Sequence, residues 1–474
     1  MINALREPNI LITVFLTICC ETIPIPILAT DPHIRLLHVC QVWRDAMLSL
    51  PCLWDSYSFS ACFLHQPRLQ IDVLHYIIGW SGSNALTFLF PNTIGIEDHM
   101  TLKDNLFGGG RISIIDDIVS PYIDRIKFIR CLLNGNENRN FFLGIQKGAF
   151  SSLEGFDIAF INTLTHPYSA FTSQDVSNFQ TFASLPRLRN VTCRIFNGIS
   201  PLELNLPYSN LTSLDLDTSP ISPGVFFRIM DLSRGSLIDA HFYVDFYIDL
   251  IDSLFGRTHY RYTAPVVMSS LSTLHLLLIN SSADPDFILY FRFPLIQDLC
   301  VERAEKVLPF KWNTSHYLEL LTSSAGLLKK LRLSSFAVDN SPASFHGHGL
   351  FCLSAPSDNI EPLFSVMPRL TELHLSIGIG IYTITFDKIA RGELLPQLTA
   401  VDLTANIDPI PVIDMARTRN ALAHSSALPP INHLSLTLPS TTLDRKKFFE
   451  KARNSLASVE ECELLYLPSC NICG

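Results

Sequence analysis

The chain has 474 residues, of which 47% are hydrophobic and 17% charged. That is too long for one ordinary compact core and too apolar for extensive disorder, so either several domains or a one-dimensional array of repeats is implied. Acidic side chains number 44 against 35 basic ones, for a formal charge of −9 with no basic run, which excludes the usual electrostatic footprint of a nucleic-acid binder.

In chain order, the first predicted element is a helix. Ile10, Leu11, Val14, Phe15 and Ile18 form an apolar stripe at helical spacing, entered near Pro8 and closed before Ile23-Pro24. The run from Ile10 to Cys20 has the length of a secretory h-region and is too short for a membrane span. Its flanks argue against secretion: Arg6 is offset by Glu7, Pro8 intrudes, and the best small-residue cleavage site, near Ala29, lies beyond two prolines. Sequons at Asn190, Asn210, Asn280 and Asn313 do little against this, because so short a pattern arises often by chance. Twelve cysteines are too dilute for a disulfide scaffold, and Cys40, Cys193 and Cys300 sit in apolar patterns as small hydrophobes would. A reducing compartment, cytoplasmic or nuclear, is expected.

The next predicted element is a second helix, with Asp31 as cap and Pro32 at its first position. Leu36, Cys40, Trp43 and Met47 fall at i, i+4, i+7 and i+11 on one face, and Pro51 stops the helix ahead of the Leu53-Trp54 turn. Together these two helices and the tryptophan turn resemble an F-box, the helical module that docks a Skp-family adaptor within a cullin ubiquitin ligase. The Leu-Pro pair that usually opens an F-box falls on Arg6-Glu7 here, and the Cys19 to Thr30 connection is longer than in compact versions. Long connections of this kind, and the stretch from His75 to Phe90 with its Gly79-Trp80-Ser81-Gly82, are similar to the F-box proteins abundant in mushroom-forming fungi. The resemblance implies that Ile10, Leu11, Val14, Phe15, Leu36, Val39, Cys40, Trp43 and Trp54 make up the adaptor-facing and core set of the module, with the two roles not separable from the sequence.

Beyond the first hundred residues one phrase returns: apolar, two variable residues, apolar, one variable residue, apolar. Instances are Leu153/Phe156/Ile158, Leu188/Val191/Cys193, Leu211/Leu214/Leu216, Leu271/Leu274/Leu276 and Ile296/Leu299/Val301, then Leu328/Leu331/Leu333, Leu370/Leu373/Leu375, Leu398/Val401/Leu403 and Ile431/Leu434/Leu436. Ile123/Ile126/Phe128 and Val459/Cys462/Leu464 are looser outer members. Most spacings run from about 23 to about 42 residues, close to or somewhat above the leucine-rich-repeat period of about 20 to 29. Each phrase reads as a strand whose last two apolar residues point into a core while the variable ones point out. Several are introduced by a proline, as in Leu185-Pro186-Arg187-Leu188, where it costs no ladder hydrogen bond. Helices are expected over Pro223 to Ser233 and Glu361 to Val366, a degenerate repeat around Leu237 to Tyr243, and surface loops over Val338 to Ser357 and Asn406 to Pro430.

The expected fold class is therefore α/β: a small helical F-box-like domain at 1–60, a connecting region with a helix and first strand at 61–118, and an irregular leucine-rich-repeat-like solenoid with a curved parallel sheet at 119–474. Catalytic motifs are thin. Gly79-Trp80-Ser81-Gly82-Ser83 lacks the last glycine of a nucleophile elbow, and Gly108-Gly109-Gly110-Arg111 lacks the ending of a phosphate loop. Cys470 and Cys473 have metal-ligand spacing without a second pair, and His346 and His348 flank a loop glycine. No enzyme activity, cofactor or metal is expected. Asp215, Asp217, His275, Arg332, Glu372, His374 and Asp402 occupy outward strand positions and are the candidates for binding a target. Their mixed charge suits a protein or peptide better than a polyanion. The resemblance implies a substrate-recognition subunit of an SCF-type ubiquitin ligase, with a Skp-family adaptor, through it a cullin, and an unknown target as partners. The alternatives are a non-degradative repeat scaffold whose first helices are only a cap and, further off, a secreted repeat receptor.

Overall fold

The computed structural model describes residues 8–19, 22–60, 68–91, 114–133, 141–160, 180–195, 200–248, 265–281, 284, 286–305, 312–324, 326–337, 359–375, 381–404, 409–425, 427–438 and 462–466. The chain divides into two compact units, Met1–Ser219 and Pro220–Gly474. Helices alternate with parallel strands in both, so the fold class is α/β.

The first unit runs α1 (Pro8–Ile18), β1 (Ile23–Ile25), α2 (Pro32–Leu37), α3 (Gln41–Leu48), a 3-10 turn (Pro51–Trp54), β2 (Ser56–Phe59), α4 (Arg68–Trp80), β3 (Leu86–Leu89), α5 (Ile114–Val119), β4 (Ile126–Leu133), β5 (Gly155–Phe160), β6 (Asn190–Ile195) and β7 (Ser213–Ile221). Strands β1 to β7 lie side by side in chain order. The sheet thus begins at Ile23, in the connection between the first two expected helices, and takes β3 from the expected connecting region. The reason is a period of two: Ile23, Ile25, Tyr57, Phe59, Leu86 and Phe88 are buried and alternate with more exposed neighbours.

Four local expectations change. The helix read as continuous after Asp31 is two helices, because the chain turns extended at Cys40 (φ −164°). Arg44 secures the break by donating its Nε–H to the Leu37 carbonyl at 3.0 Å, one of the acceptors left open at the end of α2. Pro32 does open α2, but the Asp31 carboxylate accepts from the Leu28 N–H at 2.6 Å instead of capping the helix. The buried stripe of α1 is Leu11, Phe15 and Cys19, leaving Ile18 exposed. The outer phrase near β4 is also three residues off: Ile129 and Cys131 register with Phe156 and Ile158, so the true phrase is Ile126/Ile129/Cys131.

The second unit contains α6 (Pro223–Ser233), β8 (Asp239–Asp245), β9 (Val266–Val267), β10 (Thr273–Ile279), β11 (Phe291–Arg292), β12 (Asp298–Glu305), α7 (Thr314–Thr322), β13 (Lys330–Ala337), α8 (Glu361–Ser365), β14 (Glu372–Leu375), α9 (Thr383–Ala390), β15 (Ala400–Thr404), α10 (Pro409–Ala423), β16 (His433–Leu438) and β17 (Cys462–Tyr466). Its main sheet follows the order β8-β10-β12-β13-β14-β15-β16-β17, with β9 and β11 forming a separate pair. The expected helices at Pro223 and Glu361 and the expected strand near Tyr243 are present as α6, α8 and β8.

The repeated phrase sets this sheet's register. Leu274, Leu299, Leu331, Leu373, Val401 and Leu434 are successive lateral partners, all buried, and so are Leu276, Val301, Leu333, Leu375, Leu403 and Leu436. The leading residue of each phrase is buried as well, as at Leu271, Leu328, Leu370 and Leu398. Just ahead of each strand a single carbonyl accepts two consecutive N–H groups of the next repeat: Gln297 from Lys329 and Lys330, Lys329 from Thr371 and Glu372, Thr371 from Thr399 and Ala400. Hydroxyls reinforce this where the phrase places Ser or Thr second, with Thr371 donating to the Lys329 carbonyl at 3.0 Å and Thr399 to the Thr371 carbonyl at 3.1 Å.

The stretch expected as a loop from Asn406 to Pro430 holds α10 instead. Pro409 and Pro411 sit at its first turn, where a missing N–H costs nothing, and Val412, Ile413, Met415, Ala416 and Arg419 are buried. The other expected loop, from Val338 to Ser357, lies outside the described residues, as do Gly108 to Arg111, His346, His348, Cys470 and Cys473.

Candidate interaction surfaces

The nine residues taken from the first helices separate by burial. Leu11, Phe15, Leu36 and Trp54 are buried. Val14 and Trp43 are half-buried, and the Trp43 ring meets Phe15 edge-on at 5.3 Å, joining α3 to α1. Trp54 donates its indole N–H to the Met47 carbonyl at 3.0 Å and meets the Trp80 ring of α4 edge-on at 4.7 Å. Ile10, Val39 and Cys40 are exposed, Ile10 at 41% and Val39 at 55%. The sequence reading missed Val42, 52% exposed on the first turn of α3. It also missed His33, which is 97% buried with neither ring nitrogen hydrogen-bonded. Burial lowers the His33 pKa below its ordinary value, against the pull of the Asp31 carboxylate, so the imidazole is held neutral.

The seven candidates on strands all stand on the face opposite the buried leucines, half-buried or exposed. In the second unit five of them are brought together. His275, Arg332, His374 and Asp402 belong to one lateral row that runs His241, His275, Cys300, Arg332, His374, Asp402, Ser435, and Glu372 lies in the row before it. Asp215 and Asp217 lie on β7, and the Asp215 carboxylate accepts from the Asp217 N–H at 3.1 Å.

Electrostatics tie these rows together. Lys330 pairs with Glu372 at 2.9 Å, Arg332 with Glu302 at 4.0 Å, and His374 Nδ1 with Asp402 at 2.6 Å. The imidazoles of His241 and His275 stack at 4.5 Å. Burial lowers the His275 pKa, and the adjacent His241 lowers it further. Burial raises the Asp298 carboxyl, whereas Asp402, though burial disfavours its charge, is held below the usual carboxylate range by the hydrogen bond and charge of His374. In the first unit the same face carries Asp157, buried between Arg130 at 2.8 Å and Arg194 at 3.8 Å.

The polar groups of this face do not have the order of a nucleophilic triad. Ser435 bonds to Asp402, which bonds to His374, so the carboxylate is central where a nucleophilic triad needs the imidazole. Burial pushes the Cys300 thiol up to about 12, and burial raises Cys131 and Cys193 as well, so none is an activated nucleophile. Among the described residues no cluster of three His, Cys, Asp or Glu is placed to hold a metal, and no helix is long and apolar enough to cross a membrane. No protein-family model matches the chain, and no curated protein matches it in sequence.

Proposed function

We propose that the protein is a substrate-recognition subunit of an SCF-type ubiquitin ligase, in which the first three helices dock a Skp-family adaptor and a leucine-rich-repeat-like array holds the target. The observation that carries this reading is the division of labour within the N-terminal helices. Phe15 and Trp43 tie α1 to α3 and Trp54 ties the following turn to α4, while Val39 and Val42 remain about half exposed on α3 and the turn before it. A helical cap serving only the repeats has no need to spend two β-branched apolar residues on solvent. Covering such a side chain stabilises a complex by about 1.5–3 kcal/mol, so a few of them suffice for docking. The chain would catalyse nothing itself and would act by proximity, raising the effective concentration of target lysines near a charged conjugating enzyme.

Co-purification with a Skp-family adaptor is the test. Val39→Asp/Val42→Asp, which leaves every buried side chain in place, is expected to reduce capture at least tenfold, since two buried apolar contacts correspond to about that factor or more. Equal capture by the variant and the parent chain would sink the reading.

A further inference from the structure

We propose that the outward sheet face of the second unit binds a basic, Lys/Arg-rich extended segment of a partner protein; this names the class of target for the receptor function above and rests on that reading only for the fate of what is bound.

The charged side chains of this face are half-buried or exposed. Helix α6 packs through Phe226 against Phe242, an inward residue of β8, and so lies on the opposite surface. Across seven neighbouring strands, β8 to β16, the outward positions carry carboxylates at Asp239, Asp245, Asp298, Glu302, Glu372 and Asp402. Among the described residues Lys330 and Arg332 are the Lys and Arg side chains of this face, so six carboxylates stand against two permanent cations. By contrast the first unit's buried carboxylate, Asp157, is already clamped between two arginines.

The partners of the acids on this face differ in kind. Glu372 and Glu302 pair with Lys330 and Arg332, whereas Asp239 and Asp402 pair with histidines, His241 and His374. Asp298, the lateral neighbour of Lys330, is half-buried, and burial raises its pKa against the pull of His275 and Lys330. A further cation on this face adds attraction to carboxylates that are already partly withdrawn from water. Stacked His241 and His275 offer a flat surface beside these acids, suited to a planar guanidinium. Strands spaced about 4.8 Å apart make the seven-strand span about 29 Å, the reach of an extended segment of about nine residues.

Fluorescence anisotropy of the full chain with a labelled Lys/Arg-rich peptide of about twelve residues, at about 50 and about 300 mM salt, tests this. Micromolar binding that weakens about tenfold at the higher salt is expected, with no binding of an Asp/Glu-rich peptide of equal length. Asp298→Asn/Glu302→Gln/Glu372→Gln should weaken binding about tenfold, and Lys330→Ala/Arg332→Ala should strengthen it severalfold. The second variant guards against misfolding, because damage to the sheet cannot raise affinity. Preference for the acidic peptide, or equal affinity in both variants and the parent, overturns the proposal. Adaptor capture measured on the same samples keeps the two ideas apart: lost capture with retained peptide binding sinks the ligase reading alone, and the reverse sinks only this one.

Discussion

Arg419 shows how much a single residue can hold in place. Its guanidinium is fully buried on α10, and its hydrogen bonds go to main-chain carbonyls of Ile389 at 2.8 Å, Pro396 at 2.6 Å, Leu398 at 3.4 Å and Pro429 at 3.1 Å. These belong to the end of α9 and to the connections before β15 and β16, so one planar fork fixes three segments. Burial lowers its pKa from the ordinary arginine value, the cost of a charge held in the interior. Arg419→Met keeps the volume but strands several acceptors, and is expected to destabilise the protein by about 2–4 kcal/mol in urea denaturation. Arg419→Lys should recover little of that loss, because a point-like ammonium cannot reach the same set of acceptors. Nothing in the local sequence announced this role: an arginine in a Pro- and Asn-containing stretch reads as solvent-facing.

Among the elements, α2 is the one built around a conflict. His33 lies buried beside Trp54, whose ring is 5.7 Å away, with neither nitrogen satisfied. In the unfolded chain its imidazole takes up a proton near the ordinary value of 6.5, and in the fold only at lower pH. The unfolded state therefore binds more protons just below that value, and stability falls as the pH drops through it. Urea midpoints followed by tryptophan fluorescence should decline from about pH 7.5 to about pH 5, and His33→Leu should flatten that part of the decline. An unaltered profile in the variant would remove His33 as its source. The existence of α1, α6 and α8 was legible from apolar spacing and prolines at first turns, because such signals are local. The break between α2 and α3 was not, since it depends on Arg44 reaching back to the Leu37 carbonyl. Nor was α10, whose opening prolines resemble those of a loop.

At the scale of the whole molecule the main-sheet strands of each unit, β9 and β11 apart, follow one another in space in chain order, so each exchanges ladder hydrogen bonds only with its two neighbours. Damage to one strand should then stay near it. Leu331→Ala, which empties a fully packed position of β13, should cost about 2–5 kcal/mol. Hydrogen exchange with peptide resolution should show the loss in β12, β13 and β14 while protection of β1 to β6 is unchanged; uniform acceleration through both units would contradict this. The alternation of the phrase made the outward residues of β10 and β13 to β15 readable, because strand period and burial are both set within a few residues. Which outward residues would meet was not readable. His374 lies 28 positions before Asp402, and His241 lies 34 before His275, so those pairings wait on the lateral register.

That register has a consequence for how such a chain tolerates change. Because the carbonyl before each strand grips two N–H groups of the next repeat, every strand is aligned afresh by its predecessor, whatever length of chain lies between them. The interval is 28 residues from Thr371 to Thr399 and 42 from Lys329 to Thr371, yet the same clasp closes both. Insertions and deletions in the connections are therefore absorbed where they occur and do not propagate as a slip, so the spacers can diverge freely while the leucines behind the sheet and the charges in front of it keep their places.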